Sequence, residues 1–260
     1  MRLASKIVLL FCSVLTTSLV HAQNQVSIIY QAPVDKIETS IKQHLKASSE
    51  ISETLALIND TFRLDAPLQI IFGGEEGPLF DGDSLQILIP YHFVKEVESR
   101  FVTAEYDDSG RSIAEATIDA VMHTLFHELA HALIFMHELP IVGKEEDAAD
   151  SLASVLLIEL FNEGQEIAIS TADLFNLEST DSETFEEDDF WDEHSLDVQR
   201  YYSTLCHVYG SNPEEYAHIA EDADFSEDRT ELCIEEYNSL SHSWFTLLAP
   251  YTHDDQASQK

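Results

Sequence analysis

Apolar positions along the chain fall first into short β-like runs and later into long helical stretches. Val26–Tyr30 and Leu68–Phe72 are rich in Ile, Val and aromatic residues, and residues 84–90 form a third such run behind the turn signal Asp81, Gly82 and Asp83. These three runs predict strands. Between the first two, residues 51–62 carry apolar positions at helical spacing. From residue 112 the helical period dominates. Ser112 and Glu115 stand at capping-box spacing, and the helix they open is expected to run to about residue 138, because Pro140 cannot continue it. Along this helix Ile118, Val121, Met122, Leu125, Leu129, Ala132, Leu133 and Met136 make one apolar stripe. His123, His127 and His131 lie on roughly the opposite side, beside Ala130 and Ile134. A helix apolar nearly all round is a buried one, and imidazoles buried with it need partners. After a break containing Pro140 and Gly143, a second apolar helix is expected from Lys144 through Leu152, Val155, Leu156 and Leu160.

The N-terminus sets the compartment. Arg2 and Lys6 precede an uncharged run over residues 7–20, and Val20, His21 and Ala22 suit a signal peptidase, so residues 1–22 are read as a signal peptide. The run is short for a bilayer span of about 20 residues, so no membrane association is expected after cleavage. Cys12 follows Phe11 inside the run and is a poor site for lipid attachment. The mature chain, 23–260, then keeps Cys206 and Cys233, which in an exported protein, periplasmic or secreted, predict one disulfide. Its length suits a single domain, with an α/β lobe over 23–111 and a helical lobe over 112–260.

Charge narrows the partners. With 49 Asp and Glu against 13 Lys and Arg, the formal charge is −36, which repels nucleic acid and anionic membrane surfaces. Yet 44% of residues are hydrophobic, too many for an acidic disordered chain, so the charge decorates a folded surface. The most acidic stretch, 178–193, reads as a solvated loop; it has no EF-hand spacing that would support calcium.

Within the buried helix the chemistry concentrates in His127, Glu128, Leu129, Ala130 and His131. On a helix the two histidines lie one turn apart and about 40° around the axis, so both can reach one metal ion, with Glu128 beside the water that the ion activates. Zinc in a hydrolase takes a third protein ligand and leaves a position open. His137 stands six residues beyond His131, the metzincin spacing, but Ile134 occupies the place where that arrangement needs a Gly to turn the chain. Glu145 and Glu146 at the start of the second helix are the other candidates. Acids there also stabilise a helix N-terminus through its dipole, which accounts less well for Asp150 on the same face as Glu146.

The segment from Glu146 to Asp150 resembles the Glu-x-x-Ala-Asp pattern of gluzincin peptidases. That resemblance implies Glu146 as the third zinc ligand, Ala149 as a spacer for close helix packing, and Asp150 as the residue that fixes the tautomer of a ligand histidine. More widely, the stretch 126–156, with Leu139, Pro140 and the segment 143–150, is similar to a family of metallopeptidases of exported bacterial proteins. The similarity extends through Trp191, His194, Arg200, Cys206, Tyr209, Gly210, Pro213 and Cys233 to Trp244 and Pro250. It implies a zincin-like α+β fold, mostly helical, with a small N-terminal mixed sheet and an active-site helix. The expected function is zinc-dependent hydrolysis of a peptide or protein substrate with Glu128 as general base. His194, or Tyr201 or Tyr202, would donate to the oxyanion. Arg200 is expected to pair with the acidic stretch or a substrate carboxylate, and the strand over 85–89 to hold an extended substrate by edge pairing. The alternative from another class is a metal-binding or interaction protein without chemistry, in which His123 completes a closed site with His127 and His131.

Overall fold

A computed structural model describes residues 25–181 and 184–253; the signal peptide reading falls outside them. The three expected strands form β1 (Val26–Tyr30), β2 (Leu68–Phe72) and β4 (Gln86–Ile89), and a short β3 (Leu79–Asp81) joins them. Their order is β1-β2-β4-β3, the first two pairings parallel and β3 antiparallel to β4. The strand over 85–89 is therefore interior, with partners on both sides. It cannot offer an edge to a substrate, and that expectation is corrected: the free edge on that side of the sheet is β3. Gly77 makes β3 possible. It sits at φ +108°, and a Cβ there would lie 2.5 Å from the Leu88 carbonyl oxygen, so only glycine lets the chain close onto β4.

Two helices, α1 (Lys36–Ala47) and α2 (Ser49–Thr61), connect β1 to β2, each opened by a side-chain cap, Asp35 and Ser48. After β4, Pro90 starts α3 (Tyr91–Thr103). The capping box of Ser112 and Glu115 then opens α4 (Ile113–Met136), 24 residues long and buried on nearly every face, as its apolar composition requires. It stops two residues short of the expected end, with His137 as cap and Glu138 left-handed at φ 48°.

Helix α5 (Glu145–Leu160) packs along α4, and Ala149 and Ala153 are fully buried between larger neighbours. The remaining helices are α6 (Gly164–Glu178), α7 (Asp197–Ser211), α8 (Ala217–Asp222) and α9 (Glu227–Leu248). Cys206 of α7 and Cys233 of α9 are joined in a disulfide, as expected. Gly210 lets the two helices meet there, since a Cβ would come 2.2 Å from the Cys233 carbonyl oxygen. One apolar cluster runs from Val26 on the sheet through α4 and α5 to Leu248, so the sheet and the helices rest on a shared core. No helix among the described residues is long and apolar enough to cross a membrane.

Candidate metal centre

The packed pair α4 and α5 determines the geometry of the site. His127 and His131 project from one face of α4 toward the first turn of α5, which places Glu146 opposite them. His127 Nε2 and His131 Nε2 lie 3.2 Å apart, and the Glu146 carboxylate oxygen Oε2 lies 3.1 Å from the first and 3.3 Å from the second. Around a tetrahedral ion with bonds of about 2.0–2.1 Å, neighbouring donor atoms sit about 3.3–3.4 Å apart. The three atoms thus already occupy one face of such a tetrahedron. Among the described residues this is the one group of three His, Cys, Asp or Glu whose donor atoms come close enough to hold a metal ion; the segment 178–193 contributes none to it.

Each imidazole is oriented from behind. His127 donates through Nδ1 to Asp150 Oδ1 at 2.8 Å, which leaves Nε2 facing the centre. His131 Nδ1 makes the corresponding contact with Glu145 Oε1 at 2.9 Å, so Glu145 lies behind a histidine and not among the converging atoms. Asp150 is gripped in turn by Arg200, whose Nε and second terminal nitrogen reach the two carboxylate oxygens at 2.7 and 3.0 Å. The guanidinium lies 3.9 Å from the Phe175 ring centroid. Burial opposes a charge on Asp150, but the hydrogen bond from His127 and the charge of Arg200 outweigh it and hold the carboxyl well below its usual range. Arg200 therefore meets neither the acidic stretch nor an open cleft as its main partner. Sequence reasoning missed this pairing, since a separation of 50 residues leaves no periodic trace.

Glu128 is 7% exposed, and burial raises its pKa, against the pull of the two histidines and of the Phe80 backbone amide on β3. Strand β3 packs against α4 on this side. Glu146 is displaced the other way, held low by hydrogen bonds from His127, His131 and His194. His194 Nε2 reaches the same Glu146 oxygen at 3.0 Å, and its ring lies parallel to that of His127 at 6.2 Å. Lys144 fixes the approach of this segment by donating to the carbonyl oxygens of Asp192 and His194 at 2.9 and 3.1 Å.

The other candidates are elsewhere. His123 is fully enclosed against the edge of Phe175, with Nε2 unpartnered and its pKa pushed down to about 3 by burial. It does not join the converging group. His137 stacks on Tyr251 at 3.9 Å and sits 3.7 Å from Asp65, at the far end of α4. Tyr201 and Tyr202 pack on one another at 4.9 Å, and Tyr202 also meets Phe225.

A buried helix bearing two histidines, faced by a glutamate from the next helix and backed by carboxylates on the outer nitrogens, gives a His, His, Glu cluster that could hold a metal ion. Residues 30–248 match a family described as putative metallopeptidase, and the chain belongs to that family. Neither the curated proteins nor the solved structures contain a match to the chain.

Proposed function

We propose that the protein is an exported zinc-dependent peptidase of the gluzincin type, with His127, His131 and Glu146 as ligands and Glu128 as general base. The observation that carries this reading is the convergence of three donor atoms, 3.1–3.3 Å apart, beside a buried carboxyl on the same helix. Two imidazoles and one carboxylate are a donor set that zinc favours and that leaves a coordination position open. When bound there, zinc supplies the Lewis acidity that polarises a carbonyl and makes water nucleophilic near neutral pH.

The chain's own residues handle the proton and the charge. Glu128 accepts a proton from the attacking water, keeps it in a site that burial has made favourable to the neutral form, and delivers it to the leaving amine. His194, on the open side of Glu146 with 42% of its side chain exposed, donates to the oxygen of the tetrahedral carbon as charge develops. Asp150 and Glu145 accept from the outer nitrogens of His127 and His131, which would leave both Nε2 atoms free to turn lone pairs on an ion once their hydrogen bonds to Glu146 give way to it. An extended peptide would pair with the free edge of β3, whose Phe80 amide stands over Glu128. The Cys206 to Cys233 disulfide suits an oxidising compartment, in line with export.

The test is cleavage of a mixed peptide library by the mature protein carrying one zinc per chain, compared with the same protein after chelation. Cleavage that stops on chelation and returns with zinc is expected. Zinc-loaded protein that leaves every peptide intact removes the proposal. The ligand set has its own check: Glu146→Ala should weaken zinc binding far more than His137→Ala, and the reverse order would favour the metzincin arrangement, with His137 as the third ligand.

A further inference from the structure

Phe135 is an anomaly on α4. The helix buries almost all its large apolar side chains, yet this ring is 57% exposed. It lies seven residues beyond Glu128, two helical turns along the same face, and His131 falls between them on that face. Among the described residues its aromatic partner is Phe80 of β3, with ring centroids 5.7 Å apart at 61°. The backbone amide of the same Phe80 faces Glu128. Across the turn after β3, a Cβ at Gly82 would stand 3.2 Å from the Phe135 ring, so glycine leaves the ring uncovered where a larger side chain would crowd it.

From this we infer that Phe135 and Phe80 form a subsite for a bulky apolar side chain of the substrate, about three residues from the bond that is cut. The inference rests on the peptidase reading. The distance follows from two repeats: seven helical residues advance about 10.5 Å, and an extended chain covers that in about three residues. An exposed ring two helical turns from Glu128 gains by being covered with apolar surface, and a peptide laid along β3 would run past it because Phe135 packs on Phe80 of that strand. The occupant is thus an apolar side chain, Leu, Phe or larger, of a strand paired with β3.

The test compares zinc-loaded wild type with Phe135→Ala and Phe135→Leu on random peptides, with products sequenced by mass spectrometry. Binding of matched Phe and Ala peptides to both proteins is followed by fluorescence anisotropy. Wild type should favour apolar residues at one position two to four residues from the cut, and the preference for Phe over Ala there should fall about tenfold in Phe135→Ala. Phe135→Leu should restore most of it. Because the ring is exposed, the thermal midpoint should barely move. Cleavage without an apolar preference, or with one that survives Phe135→Ala, overturns the subsite and leaves the peptidase reading intact. No cleavage at all overturns the peptidase reading, and the anisotropy then decides the subsite by itself. A wild type that sediments as a dimer, with Phe135→Ala monomeric and equally selective, would assign the ring to a second copy of the chain and overturn the inference.

Discussion

Replacing Arg200 by Met tests how far the metal centre depends on a residue that touches none of the converging atoms. Arg200 makes two contacts with Asp150, at 2.7 and 3.0 Å, and both side chains are largely enclosed, 17% and 15% exposed. Removing one member of such a pair leaves a buried carboxylate with only the His127 imidazole to offset its burial, a change that costs about 3–5 kcal/mol. The stacking on Phe175 adds to this, although Met recovers part of that contact. Urea unfolding of the metal-free protein should therefore show Arg200→Met destabilised by about 3–4 kcal/mol. The double variant Asp150→Asn with Arg200→Met should be more stable than the sum of the single changes predicts, because the stranded charge is gone. A second readout separates positioning from bulk stability. With Asp150 no longer anchored, His127 loses its fixed orientation, and zinc affinity, measured by competition with a chromogenic chelator, should fall about 10- to 100-fold. A loss below about 1 kcal/mol, with zinc affinity within twofold of wild type, would refute the claim that Arg200 and Asp150 act as a unit on His127.

Three further outcomes follow from other parts of the fold. Replacing Cys206 and Cys233 by Ser opens a loop with a sequence separation of 27 residues, and the chain-entropy relation gives a loss of about 3–4 kcal/mol, readable as a lower thermal midpoint. Glu178 is pushed up to about 7 by burial, with Asp197 adding to the shift and Arg100 opposing it. The folded chain thus keeps a proton that the unfolded chain releases near pH 4.5, and stability should decline by up to about 3 kcal/mol as pH rises from 4.5 through 7. Glu178→Gln should flatten that decline in urea midpoints taken at pH 5 and pH 8; an unchanged slope would place the pH dependence elsewhere. Ser112→Ala removes the hydroxyl that caps α4 and should cost about 1 kcal/mol in the same urea assay.

Much of the centre was legible because it is local. His127 and His131 sit one turn apart, Glu146 and Asp150 do the same on the next helix, and each pair reports its own face through periodicity alone. The break at Pro140 and Gly143 then leaves little freedom in how the two helices meet. What periodicity could not show is which residues from distant segments close the site. Arg200 reaches Asp150 from α7, and Phe80 reaches Glu128 from a strand of three residues, too short to display alternation. For the same reason the strand over 85–89 looked like the available edge: nothing in a three-residue run announces that it pairs outside β4. Long apolar helices such as α4 and α5 were plain, whereas α1 and α3, amphipathic and charged on one side, left no comparable mark. Glu145 illustrates a finer limit. One residue separates it from Glu146, and only the register of α5 against α4 decides that Glu146 converges with the histidines while Glu145 stands behind His131.

The central claim is that Glu128 performs chemistry at a metal held by its neighbours. Glu128→Gln keeps the shape of the side chain and removes the base. The variant should bind one zinc per chain with the affinity of wild type and cleave no peptide that wild type cleaves. A Glu128→Gln protein that carries zinc and still cleaves at the wild-type rate would contradict the account.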